Sequence, residues 1–315
     1  MINFTELLKV RDILTEIDYV ELTKRMDSYL PRFPISILDF KNASFQLGQR
    51  QYGGMNVLFR ARVNENDVPW PLIEDISYIP ERKKDKIKYF GRANRPNESI
   101  FYSSTSLESA CMEMVSHGAN SEFLRQNGSI MMTVGVWKIN NAITLAHVVH
   151  SEKYFESLRK EFKDLNFKKV TLETVKKVNQ HMKQLLDNNE EAFSISEFFA
   201  EEFAKANTLD HREYMLSNYY IDRVFNRNPR YNVKEKVDGI WYPSIPSAYD
   251  ETNIALLPDV VDKKMQFIHA HNMWVVFFEG INKIEFIPIE QNIKADQEGR
   301  LQWRSQKIDS GIKDL

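Results

Sequence analysis

Val57-Leu58-Phe59-Arg60-Ala61-Arg62-Val63 is where the period of the chain changes. Val57, Phe59, Ala61 and Val63 alternate with Leu58, Arg60 and Arg62, the two-residue repeat of a half-buried strand, so both arginines fall on one face. Upstream, Phe4, Leu7, Val10, Leu14 and Ile17 recur at spacings of three and four, the mark of a helix with one apolar stripe, until Pro31 and Pro34 punctuate it. Downstream, residues 64–90 are polar, carry prolines on either side of Trp70 and the basic run Arg82-Lys83-Lys84, and read as a long surface excursion. A short strand is expected over Glu98–Ser103, then a helix opened by a capping box at Thr105-Ser-Leu-Glu108, with Leu107, Ala110, Cys111, Met114 and Val115 as its buried stripe. Ile130–Ile139 reads as a strand, and residues 151–227 as mostly helical with a second capping box at Ser194–Glu197. Strand signals resume at Val237–Tyr242, Asn253–Leu257, Trp274–Phe278 and Lys283–Ile287. The order is α+β: an N-terminal helical elaboration over 1–50, a mixed domain with helical insertions over 51–290, and a polar C-terminal tail over 291–315.

Composition narrows the function classes. With 315 residues, 43% of them hydrophobic, the chain can bury a large core and is not globally disordered. Cys111 is the only cysteine, which excludes an intrachain disulfide framework and any multi-cysteine metal site. A formal net charge of -2 gives no global attraction to nucleic acid or to an anionic membrane. Apolar runs such as Trp274–Phe278 are far shorter than the roughly 18 residues needed to cross a bilayer. Glu6, Lys9, Arg11 and Asp12 interrupt the start before a signal-like apolar stretch can form, so the expected compartment is the cytoplasm.

The common catalytic signatures are missing: there is no G-x-G-x-x-G, Walker A loop, G-x-S-x-G elbow or H-E-x-x-H. His269 and His271 form an H-x-H pair without an accompanying carboxylate motif; it reads as polar residues at a strand end, and no metal is expected. What remains is a constellation. Gly91-Arg92-Ala-Asn94-Arg95-Pro-Asn97 gathers forked donors and amides suited to phosphate oxygens, although an ordinary solvated turn has the same composition. Tyr102 can offer a stacking platform or fill a core position. Glu113 lies on the expected helix away from its apolar stripe, with His117 at i+4, compatible with a cleft-facing acid or a surface pair. Asp238-Gly-Ile-Trp-Tyr-Pro-Ser244, followed by Glu251-Thr-Asn253, ends a strand in a polar loop.

Taken in order, Leu58-Phe-Arg60, Gly91-Arg92-x-Asn94, Ile100-Phe-Tyr102-Ser-Ser, Ser106 through Ala110-x-x-Glu113, and Tyr242-Pro-Ser244 with Asn253-Ile-Ala-Leu256 resemble the RES domain family, as sparse islands over roughly residues 55–280. The resemblance implies an ADP-ribosyltransferase-like mixed β-sheet core, and bacterial proteins, many of them toxins held by a protein antitoxin, that consume NAD as a substrate rather than hold it as a cofactor. It implies that Arg60 and Arg92 hold the diphosphate, that Tyr102 packs against nicotinamide, and that Glu113 acts at the ribose. Ser244, Asn253 and Asn94 would complete substrate binding. The implied activity is cleavage of the nicotinamide–ribose bond by water or phosphate. Transfer of ADP-ribose to a protein or small-molecule acceptor, or a non-catalytic binding or regulatory module, are the alternatives. The chain departs from compact members in its N-terminal region, its longer Arg60-to-Arg92 excursion, and Ala93 in place of the commoner tryptophan.

Overall fold

A computed structural model describes residues 4–30, 33, 37–39, 56–116, 118–161, 170–205, 210–227, 236–281 and 283–305. Ten strands form one sheet: β1 (Ile37–Asp39), β2 (Val57–Val63), β3 (Phe101–Ser104), β4 (Ser129–Ile139), β5 (Thr144–His147), β6 (Gly239–Pro243), β7 (Thr252–Leu256), β8 (Met265–Phe278), β9 (Lys283–Ala295) and β10 (Leu301–Ser305). Their order is β1-β5-β6-β7-β3-β2-β4-β8-β9-β10. Every pair is antiparallel except β5 with β6. The described helices are α1 (Phe4–Lys9), α2 (Tyr19–Tyr29), α3 (Leu107–Val115), α4 (Gly118–Asn127), α5 (Glu152–Glu161), α6 (Leu172–Leu185), α7 (Glu190–Phe203), α8 (Met215–Val224) and α9 (Pro258–Lys264). The fold is α+β, as the pattern of periods predicts.

β2 is central, and its two faces enter different cores. Val57, Phe59 and Ala61 pack with Ala110, Cys111 and Val115 of α3 and with Val134 and Val136 of β4. Leu58 packs on the other side with Phe101, Trp137, Leu145 and Leu256. The strand is therefore covered on both sides, which is why Leu58 stands where simple alternation calls for a polar residue. Its pairing is lopsided. Along β4 it is zipped from Val57↔Lys138 to Val63↔Met132, but on the other edge it meets β3 only at Phe59↔Ser104. Beyond that pair the two strands part, and the sheet opens into a cleft.

The helices lie mainly on the β5–β6–β7 side. Leu7, Val10, Leu14, Leu22 and Met26 share one core with Phe199 and Phe203 of α7 and Leu216, Tyr219 and Tyr220 of α8. The N-terminal helices are thus part of the main core rather than an appendage; the expected boundary near residue 50 lies outside the described residues. Polar ties reinforce the packing. Arg11 pairs with Glu201 at 2.8 Å and Glu202 at 2.6 Å, and the Tyr19 hydroxyl donates to Asp222 at 2.6 Å.

Four readings of the sequence are corrected. The segment from Gln291 to Ser305 is not a tail: it completes β9 and forms β10, and its polar alternation belongs to a sheet edge anchored by Leu301 against Ile76 and Ala270. Residues 306–315 lie outside the described residues. The helix after β3 is capped one residue later than expected, by Ser106 accepting from the Ser109 amide, because the Thr105 hydroxyl donates instead to Glu251 at 3.0 Å. Ser194–Glu197 lies inside α7, whose cap is Asn189. His269 and His271 sit in the interior of β8, opposite Val136 and Val134, not at a strand end.

β5 ends in a second, buried histidine pair. His147 lies against Trp241 at 4.7 Å and His150 against Tyr249 at 5.1 Å. Both Nδ1 atoms are buried and accept no hydrogen bond among the described residues. Burial pushes His150 down to about 4; burial, with repulsion from His150, pushes His147 down to about 3. The ordinary histidine value of about 6.5 applies to the unfolded chain, which therefore binds more protons than the native one between those limits. Stability is fully present above pH 6.5 and falls as pH drops towards 4, with a slope of up to about 1.4 kcal/mol per pH unit per ring. Thermal melts are expected to be flat from pH 8 to 7 and to fall steadily from pH 6.5 to 5; an unchanged melting temperature across that lower window would contradict neutral burial of the pair.

Candidate functional site

Where β2 and β3 part, a cavity of about 310 Å³ opens, floored by Phe59, Arg60, Ala61 and Arg62 of β2 and by Tyr102, Ser103 and Ser104 of β3. Its walls come from Ala110, Glu113 and Met114 of α3, from Arg92 in the loop before β3, and from Ile79, Tyr214, Tyr242 and Asn253. Among the described residues three guanidinium groups and one carboxylate therefore line it, a formal balance of two positive charges.

Arg60 reaches across the gap in the sheet. Its Nη1 donates to the Tyr102 carbonyl at 2.8 Å, and its guanidinium lies 5.3 Å from the centre of the Phe101 ring. Its Nε is buried and makes no hydrogen bond among the described residues, and no carboxylate pairs with it there. Burial, followed by repulsion from Arg62, pushes Arg60 down to about 9. A desolvated cation without a counter-charge is costly, so this position favours an anion in the cavity. Arg62, lowered in the same direction by burial, lies over Trp70 at 4.5 Å and donates to the Asp75 carbonyl.

Glu113 is held from behind. Its Oε1 accepts from the Ser244 hydroxyl at 2.8 Å and from the Asn253 amide at 2.7 Å. Each partner is fixed in turn: Ser244 accepts from the Ser109 hydroxyl at 3.1 Å, and the Asn253 Oδ1 accepts from the Ser104 hydroxyl at 2.5 Å. Both recorded bonds fall on one carboxylate oxygen, which leaves Oε2 as the oxygen that can meet a ligand. Ser244 is 0% exposed and absent from the cavity lining, so it positions Glu113 and does not itself touch the cavity.

Arg92 closes the other side. Its Nη1 donates to the Phe203 carbonyl and its Nη2 to the Lys205 carbonyl at 3.2 Å, so it caps the C-terminal end of α7 while its guanidinium lies over Tyr214 at 5.7 Å. Burial pushes its pKa down, but Tyr214 and the Glu113 carboxylate outweigh that and hold it above the ordinary value. The Tyr102 hydroxyl donates to Asn94 Oδ1 at 2.8 Å and accepts from the Ala93 amide at 2.7 Å. Burial raises both Tyr102 and Tyr242, so each stays a neutral phenol. Asn94, like Ser244, is not in the lining; it fixes Tyr102.

The residues expected from sequence are thus brought together in two groups. Arg60, Arg92, Tyr102, Glu113 and Asn253 line one cavity, whereas Ser244 and Asn94 stand behind it and hold lining side chains. His117, read as the i+4 neighbour of Glu113, lies outside the described residues. No family model matches the chain, and no curated protein matches it. Sequence reasoning missed Tyr214, which sits in an unremarkable helical stretch, and Ser109, hidden among the small residues of α3. Tyr242 was visible only as the residue beside Pro243. No group of three or more histidine, cysteine or acidic side chains able to hold a metal occurs among the described residues.

Gly91 makes the turn that lets Asn94 reach Tyr102. A Cβ built there meets Asn94 Oδ1 at 2.3 Å and the Tyr102 hydroxyl at 3.1 Å. Gly91→Ala is expected to lower stability by about 1–3 kcal/mol in denaturant titrations, the scale of overpacking; a variant as stable as the wild type would show that the Asn94–Tyr102 clamp is not tightly packed.

Proposed function

We propose that the cavity binds NAD and cleaves its nicotinamide–ribose bond, and that the chain is a RES-like protein with an ADP-ribosyltransferase-related sheet. The observation that carries this reading is the convergence of Arg60, Arg92, Tyr102, Glu113 and Asn253 on one cavity whose lining has two positive charges in excess and one oriented carboxylate. The net positive balance suits a diphosphate, and Arg60, desolvated and facing no carboxylate among the described residues, is the group that gains most from meeting it. Tyr102 and Tyr242 supply aromatic surface for a flat pyridinium ring.

The chemistry follows from the substrate. Breaking the C–N bond expels neutral nicotinamide with the bonding electron pair and builds oxocarbenium character on the ribose, as in glycoside hydrolysis. A carboxylate beside C1' stabilises that charge, and Glu113, immobilised through Oε1, presents its other oxygen to the ribose or to an incoming water. With water as nucleophile the products are ADP-ribose, nicotinamide and one proton; with phosphate, ADP-ribose-1''-phosphate and nicotinamide. Transfer to another acceptor shares the first step. Ser244 is buried outside the cavity lining and donates a hydrogen bond to Glu113, so it serves as a positioning residue, not a nucleophile. A protein antitoxin and a cytoplasmic setting belong to the same reading.

Purified protein is expected to deplete NAD and release nicotinamide, and Glu113→Gln to reduce kcat by about 100-fold or more, the scale of losing a preorganised electrostatic contact, with an unchanged melting curve. Undiminished NAD after long incubation with water, phosphate and candidate acceptors would assign a binding role instead. Arg60→Met is expected to weaken NAD binding by about 1.5–3 kcal/mol in calorimetry, the scale of charge-assisted hydrogen bonds. Arg92→Met should lower thermal stability as well, because its donors cap α7. Equal NAD affinity in the wild type and Arg60→Met would remove Arg60 from the phosphate site.

A further inference from the structure

The cavity is compact. At about 310 Å³ it stands at the low end of small-molecule sites, which run from roughly 300 to 1,000 Å³. A nicotinamide ribose and its phosphates would take up most of that space, which puts the second nucleoside at or beyond the cavity mouth.

The segment that carries Arg92 begins with two aromatic residues, Tyr89 and Phe90. Tyr89 is 65% exposed, a large ring left in water beside a polar loop. Its ring lies 4.8 Å from His211, and His211 stacks on Phe90 at 5.9 Å with the planes 20° apart. Phe90 is backed in turn by Tyr19 at 5.4 Å. His211 opens the short helical turn that ends at Tyr214, and Tyr214 lies under Arg92 inside the cavity. The strips 89–92 and 211–214 therefore run side by side, with Arg92 over Tyr214 in the cavity wall and Tyr89 against His211 three residues away on each strip.

We propose that Tyr89, backed by His211, is an outer subsite that stacks the adenine base of the nucleotide. The inference rests on the NAD reading for what occupies the inner cavity, but the subsite itself needs only an adenine nucleotide. An exposed phenol offers a flat face at little ordering cost, and base–aromatic stacking is worth enough to change affinity by about tenfold. Arg92 and Arg60 line the same cavity as Glu113, and they would meet the diphosphate that joins the two halves.

The test separates the outer subsite from the chemistry. ADP-ribose is titrated calorimetrically into wild type, Tyr89→Ala and Tyr89→Phe, and turnover of NAD is compared with turnover of nicotinamide mononucleotide, which lacks the adenosine half. Tyr89→Ala is expected to weaken ADP-ribose binding about tenfold and raise KM for NAD by a similar factor with kcat unchanged. Nicotinamide mononucleotide turnover should be unaffected, and Tyr89→Phe should behave as wild type. Equal ADP-ribose affinity in wild type and Tyr89→Ala, no ADP-ribose binding to the wild type, or an equal loss with nicotinamide mononucleotide would each overturn the subsite. Loss of ADP-ribose affinity in Tyr89→Ala, in a protein that consumes neither nucleotide, would uphold the subsite and overturn the catalytic reading.

Discussion

A sheet that comes apart at Arg60 governs the rest of the molecule. β2 and β3 share one residue pair, and past it the edge of β3 would be left with unmet backbone groups facing a gap. The Arg60 guanidinium supplies the missing donor to the Tyr102 carbonyl, and so becomes a cation sunk in a sheet with no carboxylate to neutralise it among the described residues. Such a charge is held in place by packing on Phe101, by the fully zipped β2–β4 ladder, and by the helices on both faces. The cost of that burial is electrostatic.

The surrounding layers exist in part to keep that arrangement rigid. Arg92 spends two donors on the carbonyl end of α7, and the same end is gripped from the other side by Arg11 through Glu201 and the fully buried Glu202, which Lys205 also approaches at 2.5 Å. The N-terminal helices thereby reach the cavity wall through one helix terminus. On the opposite wall Glu113 belongs to a chain of short polar contacts, from Ser109 through Ser244 and from Ser104 through Asn253, whose supporting members are buried. A network of this kind, satisfied at each member, fixes one rotamer of the carboxylate.

The alternation in residues 57–63 and the apolar spacing of α3 were legible because a single periodicity dominates each; the spacing from Phe4 to Ile17 reads as one helix, whereas α1 ends at Lys9, a 3-10 turn covers Val10–Ile13 and Asp18 caps a separate α2. Glu113 could be placed off the apolar stripe of its helix for the same reason. Roles within the site were less legible: from sequence Ser244 looks like a ligand contact, and only the folded chain shows its hydroxyl turned to the back of Glu113. Asn94 misleads in the same way, since its partner is Tyr102. β1 and β5 are short, and no turn or capping signal brackets them as the capping box after β3 brackets that equally short strand; β10 escaped notice because an edge strand tolerates polar side chains on both faces. The capping box at Thr105 failed through competition, as Glu251, remote in sequence, takes the hydroxyl that local pattern assigns to the helix.

The most direct measurement is the crystal structure of the Glu113→Gln variant grown with NAD. The account predicts a diphosphate oxygen at charge-assisted hydrogen-bond distance, about 2.7–2.9 Å, from the Arg60 guanidinium in the β2–β3 cleft, with the nicotinamide ribose beside residue 113. Nucleotide bound elsewhere on the molecule, or a cleft in which Arg60 still faces no anion at saturating NAD, would contradict it.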